Sequence, residues 1–294
     1  MSRTASPLRY PGGKSVLKPL VSEVIKSNGL VRCHYAEPYA GGCGLALSLL
    51  YSGLVSDIHI NDLDKSIWSF WHSILNDTDR FIGMIESTDV TFKEWEKQKE
   101  IQANSSSSDI DFLTLGFSTF FLNRTNRSGI IKGAGAIGGN SQSGNYKIDC
   151  RFNKKDLISR IQRVEKYKKR IHLTNFDAID FMEMAEKELP ARTFFCIDPP
   201  YFKKGSSLYT SFYKKQDHSD VSKAVATITQ PWLVTYDNVA PIRELYSKFR
   251  QFPFNINYSV QTKRVGTELM IASKGLRVPM GFQKTSHALL KAAS

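Results

Sequence analysis

The sequence has little cysteine and no long apolar segment. Its four cysteines, at positions 33, 43, 150 and 196, form no Cys-x-x-Cys pair and no cluster with histidine. This scatter excludes a zinc-finger type of site and a disulfide framework, and it favours a reducing compartment. The longest apolar run, near residues 45–55, is too short to span a bilayer, and residues 1–9 lack the apolar core of a signal peptide. We therefore expect a soluble, cytoplasmic protein.

Acidic residues are scarce relative to basic ones. The chain has 40 Lys and Arg against 28 Asp and Glu, which gives a formal net charge of +12. An excess of positive charge indicates which partners a protein attracts and says little about its fold. Together with 12% aromatic residues, it fits a nucleic-acid substrate. The sequence has no internal repeat, and its glycine-rich turn at residues 37–44 does not have the Gly-x-Gly-x-x-Gly pattern, so a dinucleotide pyrophosphate is not indicated there.

Strand and helix patterns alternate at both ends of the chain. Strand-like segments at 34–37, 57–61, 171–174 and 193–197 are separated by apolar stripes at helical spacing, and further strands are predicted after residue 230. Residues 77–170 differ, because their helical patterns are interrupted by a serine run at 105–108 and a glycine-rich stretch at 123–145. The order predicts an α/β fold with a twisted sheet and a mostly helical insertion. The predicted domains are residues 1–76 with 171–294, and residues 77–170.

The tetrapeptide Asp198-Pro199-Pro200-Tyr201 follows a predicted buried strand. Proline fixes its own φ and favours extended conformations before it, so the Asp198 side chain and the nearby carbonyls should be held stiffly. Ligands bind at the carboxyl ends of strands in open α/β sheets. Two acceptors beside the Tyr201 ring suit a planar group that bears an amine, and the alternative is a surface turn after an edge strand.

A glycine-rich turn at residues 37–44, Glu-Pro-Tyr-Ala-Gly-Gly-Cys-Gly, lies between a predicted strand and helix. Such a turn can hold a nucleotide-like ligand at a helix N-terminus, although glycines that serve packing alone are the alternative. Asp62, at the end of the second strand, is placed to accept hydrogen bonds from ribose hydroxyls, whereas Asp64 is expected to cap the next helix. Near the N-terminus, Tyr10 offers a stacking face and Lys14 a cation for a carboxylate. Together these residues suit a ligand with an adenosine group and an amino-acid tail but no phosphate, and S-adenosylmethionine fits this description.

Arginines and asparagines alternate where the insertion becomes rich in glycine. Arginine can pair with guanine edges and asparagine with adenine edges in the major groove, and either can bind phosphate instead. The alternative is basic charge at a helix C-terminus. The residues expected to contact DNA are Asn123, Arg124, Asn126, Arg127 and Lys132.

In this order, the segments resemble the Dam-like family of DNA adenine methyltransferases over nearly the whole chain. The matching segments are residues 10–14, 37–42, 61–62, 121–129, 198–201, 234–238 and a final strand pair near 258 and 268–273. The resemblance implies a Rossmann-like methyltransferase sheet, an inserted target-recognition region and transfer of a methyl group from S-adenosylmethionine to N6 of a flipped adenine in duplex DNA. It implies that Asp198, Pro199 and Tyr201 are catalytic. The cofactor-binding set is Tyr10, Lys14, Glu37, Tyr39, Ala40, Gly41, Asp62 and Asp198.

The chain departs from the family at two places. Cys43 stands where the family often has a third glycine, and residues 130–145 do not match the GATC-specific members well. The alternatives are a cytosine-N4 methyltransferase, which more often has Ser before Pro-Pro-Tyr, and a non-catalytic DNA-binding relative. No metal is expected, and a restriction or defence system is a candidate setting.

Overall fold

A seven-stranded mixed sheet organises the protein. The computed structural model describes residues 5–9, 14–202, 213–258 and 264–279. The strands are β1 (Cys33–Glu37), β2 (Val55–Asn61), β3 (Ile171–Thr174), β4 (Thr193–Ile197), β5 (Trp232–Asp237), β6 (Arg250–Tyr258) and β7 (Arg264–Ala272). Their order across the sheet is β3-β2-β1-β4-β5-β7-β6, with β1 to β5 parallel and β7 antiparallel to both of its neighbours. The predicted α/β class is confirmed.

Helices cover the sheet and build the insertion. They are α1 (Lys18–Ser27), α2 (Gly44–Tyr51), α3 (Lys65–Asn76), α4 (Thr78–Ser87), α5 (Phe92–Ala103), α6 (Phe112–Thr125), α7 (Lys154–Lys166), α8 (Ala178–Glu188), α9 (Lys215–Thr227) and α10 (Ala240–Leu245). Within the described ranges, none of them has both the length and the apolar character needed to cross a membrane. The predicted strand boundaries hold within two residues at 34–37, 57–61, 171–174 and 193–197.

Local sequence explains the main elements. Every residue of β4 is buried, which is typical of a central parallel strand covered on both faces. Asp64 caps α3 as expected, since its Oδ1 accepts a hydrogen bond from the Ser66 amide at 2.8 Å. Cys43, which precedes α2, has φ +48°, in the left-handed region that favours glycine. The position at which the chain departs from the family it resembles therefore keeps a glycine-like backbone.

The insertion shares its hydrophobic core with the sheet layer. Phe70 of α3 stacks on Phe120 of α6 at 5.9 Å between ring centroids and packs edge-on against Phe81 of α4 at 5.8 Å. Helix α6 is buried on all sides, as expected of a helix enclosed by others. A Cβ on Gly116 would lie 2.5 Å from the Ser69 carbonyl oxygen, so glycine lets α6 approach α3 closely. The insertion at residues 77–170 therefore has no hydrophobic core of its own among the described residues. Its role as a separate target-recognition region stays a prediction.

The parallel strands gather acidic residues at one edge. Glu37 ends β1, Asp62 follows β2, Asp198 follows β4 and Asp237 ends β5. Because carboxyl ends of parallel strands meet at the same edge, these residues line one rim. Strand β7 runs the opposite way and places Glu268 opposite Asp237.

Candidate active site

Asp198 has one carboxylate oxygen engaged by the fold. Its Oδ1 accepts a hydrogen bond from the Thr235 hydroxyl of β5 at 2.7 Å and lies 3.2 Å from the Lys14 Nζ. Among the described residues, no hydrogen bond reaches Oδ2. The carboxylate is thus fixed in orientation while one oxygen remains for a ligand.

Lys14 joins two carboxylates in the interior. Its Nζ lies 3.1 Å from the Glu268 Oε2 and donates to the Tyr201 hydroxyl, which in turn donates to Glu268 Oε1. Lys14 is 7% exposed, Tyr201 7% and Glu268 1%. Lys14 was expected to pair with a carboxylate, and it does, but its partners are Asp198 and Glu268 of the protein.

The electrostatics of this group follow from burial and pairing. Burial works to lower the pKa of Lys14, but Asp198 and Glu268 outweigh it and raise that pKa above its ordinary value. Burial raises the pKa of Asp198, with Lys14 opposing and Glu268 adding to the shift. Asp198 is therefore a more basic carboxylate than an exposed one, and Lys14 helps to keep it ionised.

Sequence reasoning missed the partners of the tetrapeptide at residues 198–201. Glu268 and Thr235 hold its ends in place, and Asp237 Oδ1 accepts from the Phe202 amide at 2.9 Å. The spacing of Thr235 and Asp237 on one strand was a usable signal, because alternate residues share a face. The pairing of β5 with β7, which brings in Glu268, left no comparable signal.

The glycine turn is tied to the end of β2 through Asp62. Asp62 Oδ2 accepts from the Gly41 amide at 2.8 Å, and Oδ1 accepts from the Asp64 amide at 3.0 Å. Ala40 is buried, and its amide donates to the Asn61 carbonyl at 2.8 Å. The structure therefore brings the predicted glycine turn and the predicted acid together.

Two acids beside this turn have altered pKa values. Burial raises the pKa of Asp62 to about 7, with a further contribution from Asp64. Burial raises the pKa of Glu37 well above its usual range, and Asp198 and Asp62 add to that shift. Among the described residues, Glu37 Oε2 is buried without a hydrogen-bond partner. A buried polar atom without a partner needs an explanation, and a ligand at this strand end would supply one.

Exposed apolar side chains flank the same rim. Leu63 is 55% exposed and Phe176, just after β3, is 47% exposed. Asn175 Nδ2 donates to the Asp62 carbonyl at 2.6 Å, and Asn61 Oδ1 accepts from the Phe176 amide at 2.9 Å. These bonds hold the two apolar side chains beside Asp62, which sequence reasoning did not anticipate.

Tyr39 of the glycine-rich turn pairs with Tyr213, just before α9. The Tyr39 hydroxyl lies 3.0 Å from that of Tyr213. His218 lies in the first turn of α9, and its Nδ1 is 3.0 Å from the Tyr236 hydroxyl. Tyr10, the predicted stacking residue, lies outside the described residues.

A comparison with known protein families identifies the family of this chain. The family model of the D12 class N6 adenine-specific DNA methyltransferases matches residues 10–264 of the 294-residue chain. The chain belongs to this family. The resemblance to adenine methyltransferases is confirmed, and the cytosine-N4 alternative is not favoured. Methyl transfer in this family implies S-adenosylmethionine as donor and DNA as substrate.

Other comparisons are more distant. No curated protein matches the methyltransferase significantly. A candidate RNA methyltransferase of Pyrococcus horikoshii matches with 9% identity and a TM-score of 0.42, over 90% of this chain and 84% of that one. A SAM-dependent methyltransferase of Agrobacterium tumefaciens matches with 10% identity and a TM-score of 0.37, over 89% and 61%. Protein LPL1258 of Legionella pneumophila matches with 12% identity and a TM-score of 0.35, over 99% and 91%. The family assignment rests on the family model.

Three residues of the methyltransferase expected to contact DNA lie in its interior. Asn123 and Asn126 are fully buried, and Arg124 is 6% exposed. Asn123 bonds both the amide and the carbonyl of Arg9, at 2.7 and 2.6 Å, and the Gly129 carbonyl at 2.8 Å. Because all three side chains are buried in the fold, we no longer expect them to contact DNA.

The other two interior residues serve similar purposes. Asn126 accepts from the Trp95 indole at 2.6 Å and donates to the Ile130 and Ile131 carbonyls at 2.7 and 3.1 Å. Arg124 donates to the Pro7 carbonyl, and burial lowers its pKa to about 9. These contacts order the start of the glycine-rich stretch.

Arg127 and Lys132 of the methyltransferase are exposed. The Lys132 Nζ lies 3.1 Å from the Ser105 hydroxyl at the serine run, and Arg127 projects from the turn after α6. Both remain available to a partner. Within the described ranges, no group of three or more His, Cys, Asp or Glu residues could hold a metal ion.

Proposed function

We propose that the rim formed by Asp198, Pro199 and Tyr201 methylates N6 of an adenine that has left the DNA helix. The observation that carries this assignment is the one-sided use of Asp198: Oδ1 is held by Thr235 and Lys14, while Oδ2 is left to accept a hydrogen bond. The Pro199 carbonyl is the second acceptor, and the two consecutive prolines hold it stiffly beside Asp198. Tyr201 is the stacking surface for the base.

The cofactor side of the rim fits S-adenosylmethionine. Glu37 Oε2 is a buried acceptor without a partner, and each Asp62 oxygen that holds a backbone amide has a further lone pair for a ribose hydroxyl. Leu63 and Phe176 offer exposed apolar surface for a planar base. Gly41, Ala40 and Tyr39 complete this side, and Tyr10 stays a candidate from sequence. When bound, S-adenosylmethionine supplies an electrophilic methyl group on a sulfonium.

The residues of the chain stabilise the charge that forms on the amine. As the N6 nitrogen becomes more positive, the Asp198 Oδ2 and the Pro199 carbonyl accept its two hydrogens more strongly than in the ground state. Burial raises the pKa of Asp198, which makes its carboxylate the better proton acceptor. Tyr201 fixes the plane of the base, so positioning supplies most of the remaining rate enhancement.

The DNA-facing side is assigned to the insertion. We propose residues 77–170 as the target-recognition region and residues 1–76 with 171–294 as the catalytic domain. Arg127 and Lys132 are exposed cations in that insertion, and the net charge of +12 supports attraction to phosphate. Reaching the adenine requires unstacking at a cost of a few kcal/mol, which duplex contacts must offset.

A nucleoside assay tests the proposal. The purified protein is incubated with S-adenosylmethionine and duplex DNA, and the digested nucleosides are analysed by mass spectrometry. We expect N6-methyladenosine, and N4-methylcytosine would replace the assignment with the cytosine alternative. In single turnover, Asp198→Ala should lose ~10²–10³ in rate, as for single oxyanion-hole donors. The control Asp180→Ala, at an exposed position of α8, should keep the wild-type rate.

A further inference from the structure

Glu268 lies in the active-site rim without an assigned role. It is 1% exposed on β7, opposite Asp237 of β5. Its two oxygens contact different partners: Oε2 lies 3.1 Å from the Lys14 Nζ, and Oε1 accepts from the Tyr201 hydroxyl. One buried acid therefore connects the cation beside Asp198 to the ring of the same tetrapeptide.

The formal charge of this cluster shows why the acid matters. Lys14 contributes one positive charge, and Asp198 and Glu268 contribute one negative charge each. Lys14 and Asp198 alone would form a neutral pair, and the lysine would offset the attraction of Asp198 for a cation. With Glu268, the cluster keeps one net negative charge where the proposed reaction brings in a sulfonium and builds positive charge on nitrogen.

Geometry adds a second consequence. The Tyr201 hydroxyl is held between Lys14 and Glu268, so the ring cannot turn away without breaking hydrogen bonds in the interior. A buried polar group that loses its partner costs about 1–3 kcal/mol. Glu268 therefore also limits where the stacking surface can stand relative to Asp198.

We propose that Glu268 is a positioning residue for methyl transfer, balancing the charge of Lys14 beside Asp198 and fixing the Tyr201 ring. This proposal rests on the proposed function of the rim. Glu268 acts through Asp198 and Tyr201 and need not touch the substrate. Its loss should therefore slow the methyl-transfer step while leaving the binding of S-adenosylmethionine and DNA largely intact.

The test compares Glu268→Gln with wild type in single turnover at saturating S-adenosylmethionine and duplex DNA. We expect the rate to fall about 10- to 100-fold, less than for loss of a direct contact. The dissociation constants should stay within about twofold, as expected when an interaction is made only in the transition state. Glu268→Asp, which keeps the charge, should recover part of the rate. The matched control Glu244→Gln removes the same charge at an exposed position of α10 and should leave the rate unchanged.

The pH profile separates charge balance from a merely structural role. Among the described residues, the titratable groups that interact with Asp198 are Lys14, Glu268, Glu37, Cys196 and Tyr236. Because Glu268 raises the pKa of Asp198, Glu268→Gln should move the acid limb of the rate profile to lower pH even as the rate falls. An unmoved acid limb, a wild-type rate, or equal losses in Glu268→Asp and Glu268→Gln would overturn the proposal. Failure of wild-type protein to methylate adenine in the same assay would instead overturn the proposed function.

Discussion

The Lys14 ammonium lies 3.2 Å from the Asp198 carboxylate, deep in the interior of the protein. The residue that opens the first described helical turn is thereby joined to the residue that follows β4. This contact fixes one oxygen of Asp198 and lowers the cost of keeping it ionised. The N-terminal segment therefore contacts the proposed active site through Lys14, and its removal should affect chemistry as well as stability.

Replacing Lys14 should have the opposite pH effect to replacing Glu268. Lys14→Met leaves Asp198 and Glu268 buried without their cation, so the pKa of Asp198 should rise further. The acid limb of the rate profile should move to higher pH. At neutral pH the variant should also lose about 3 kcal/mol of stability, because unpaired buried charges are costly.

Urea denaturation over a range of pH checks the sign of this effect. An acid whose folded-state pKa is raised destabilises the fold above its unfolded-state pKa and has no effect below it. The stability deficit of Lys14→Met should therefore be largest at neutral pH and vanish as the pH falls below the ordinary aspartate range. A deficit that does not change with pH would point to lost packing instead.

Phe176 should contribute to cofactor affinity and little to stability. Its side chain is 47% exposed beside Asp62, where a planar base would find an apolar surface. Phe176→Ala should weaken S-adenosylmethionine binding by about tenfold, or ~1.4 kcal/mol, as measured by calorimetry. The control Val31→Ala removes an exposed apolar side chain just before β1, at the opposite edge of the sheet, and should leave the affinity unchanged.

Arg127 and Asn126 are neighbours with different expected roles. Arg127→Ala should reduce duplex affinity and lower the salt-dependence slope by about one, because one phosphate contact is lost. Asn126→Ala should instead lower the melting temperature, because the Trp95 indole and two backbone carbonyls lose their buried partner. A normal salt slope in Arg127→Ala would remove that residue from the DNA surface.

The sequence allowed the acidic rim of the sheet to be predicted where parallel strands bring their carboxyl ends to one edge. Glu37, Asp62 and Asp198 follow three strands whose direction is set by right-handed crossovers, so their common edge needed no coordinates. Glu268 could not be placed this way, because it depends on the register of an antiparallel strand far along the chain. The same holds for Lys14, whose partners are distant in sequence.

The DNA-facing residues were harder to predict for a different reason. Asparagine beside arginine suits base recognition, but an asparagine amide is equally suited to tie together the backbone of a turn. Asn123 does this for a turn in which Ser128 and Gly129 have φ values of +57° and +76°. Side-chain chemistry alone does not distinguish an asparagine that reads a base from one that holds a turn. The burial of the side chain distinguishes them.

Gly116 offers a test of how the insertion is attached. A Cβ at this position would lie 2.5 Å from the Ser69 carbonyl oxygen and 2.7 Å from the Ser73 hydroxyl, and the backbone atom cannot move aside cheaply. Gly116→Ala should therefore lower the free energy of unfolding by about 2 kcal/mol, measured by urea denaturation. Gly83→Ala is the control, since a Cβ there meets no atom within 4 Å and alanine favours the helix by about 0.5–1 kcal/mol. If Gly116→Ala is as stable as Gly83→Ala, α6 must be able to move away from α3, and the insertion is less rigidly joined to the sheet than this packing indicates.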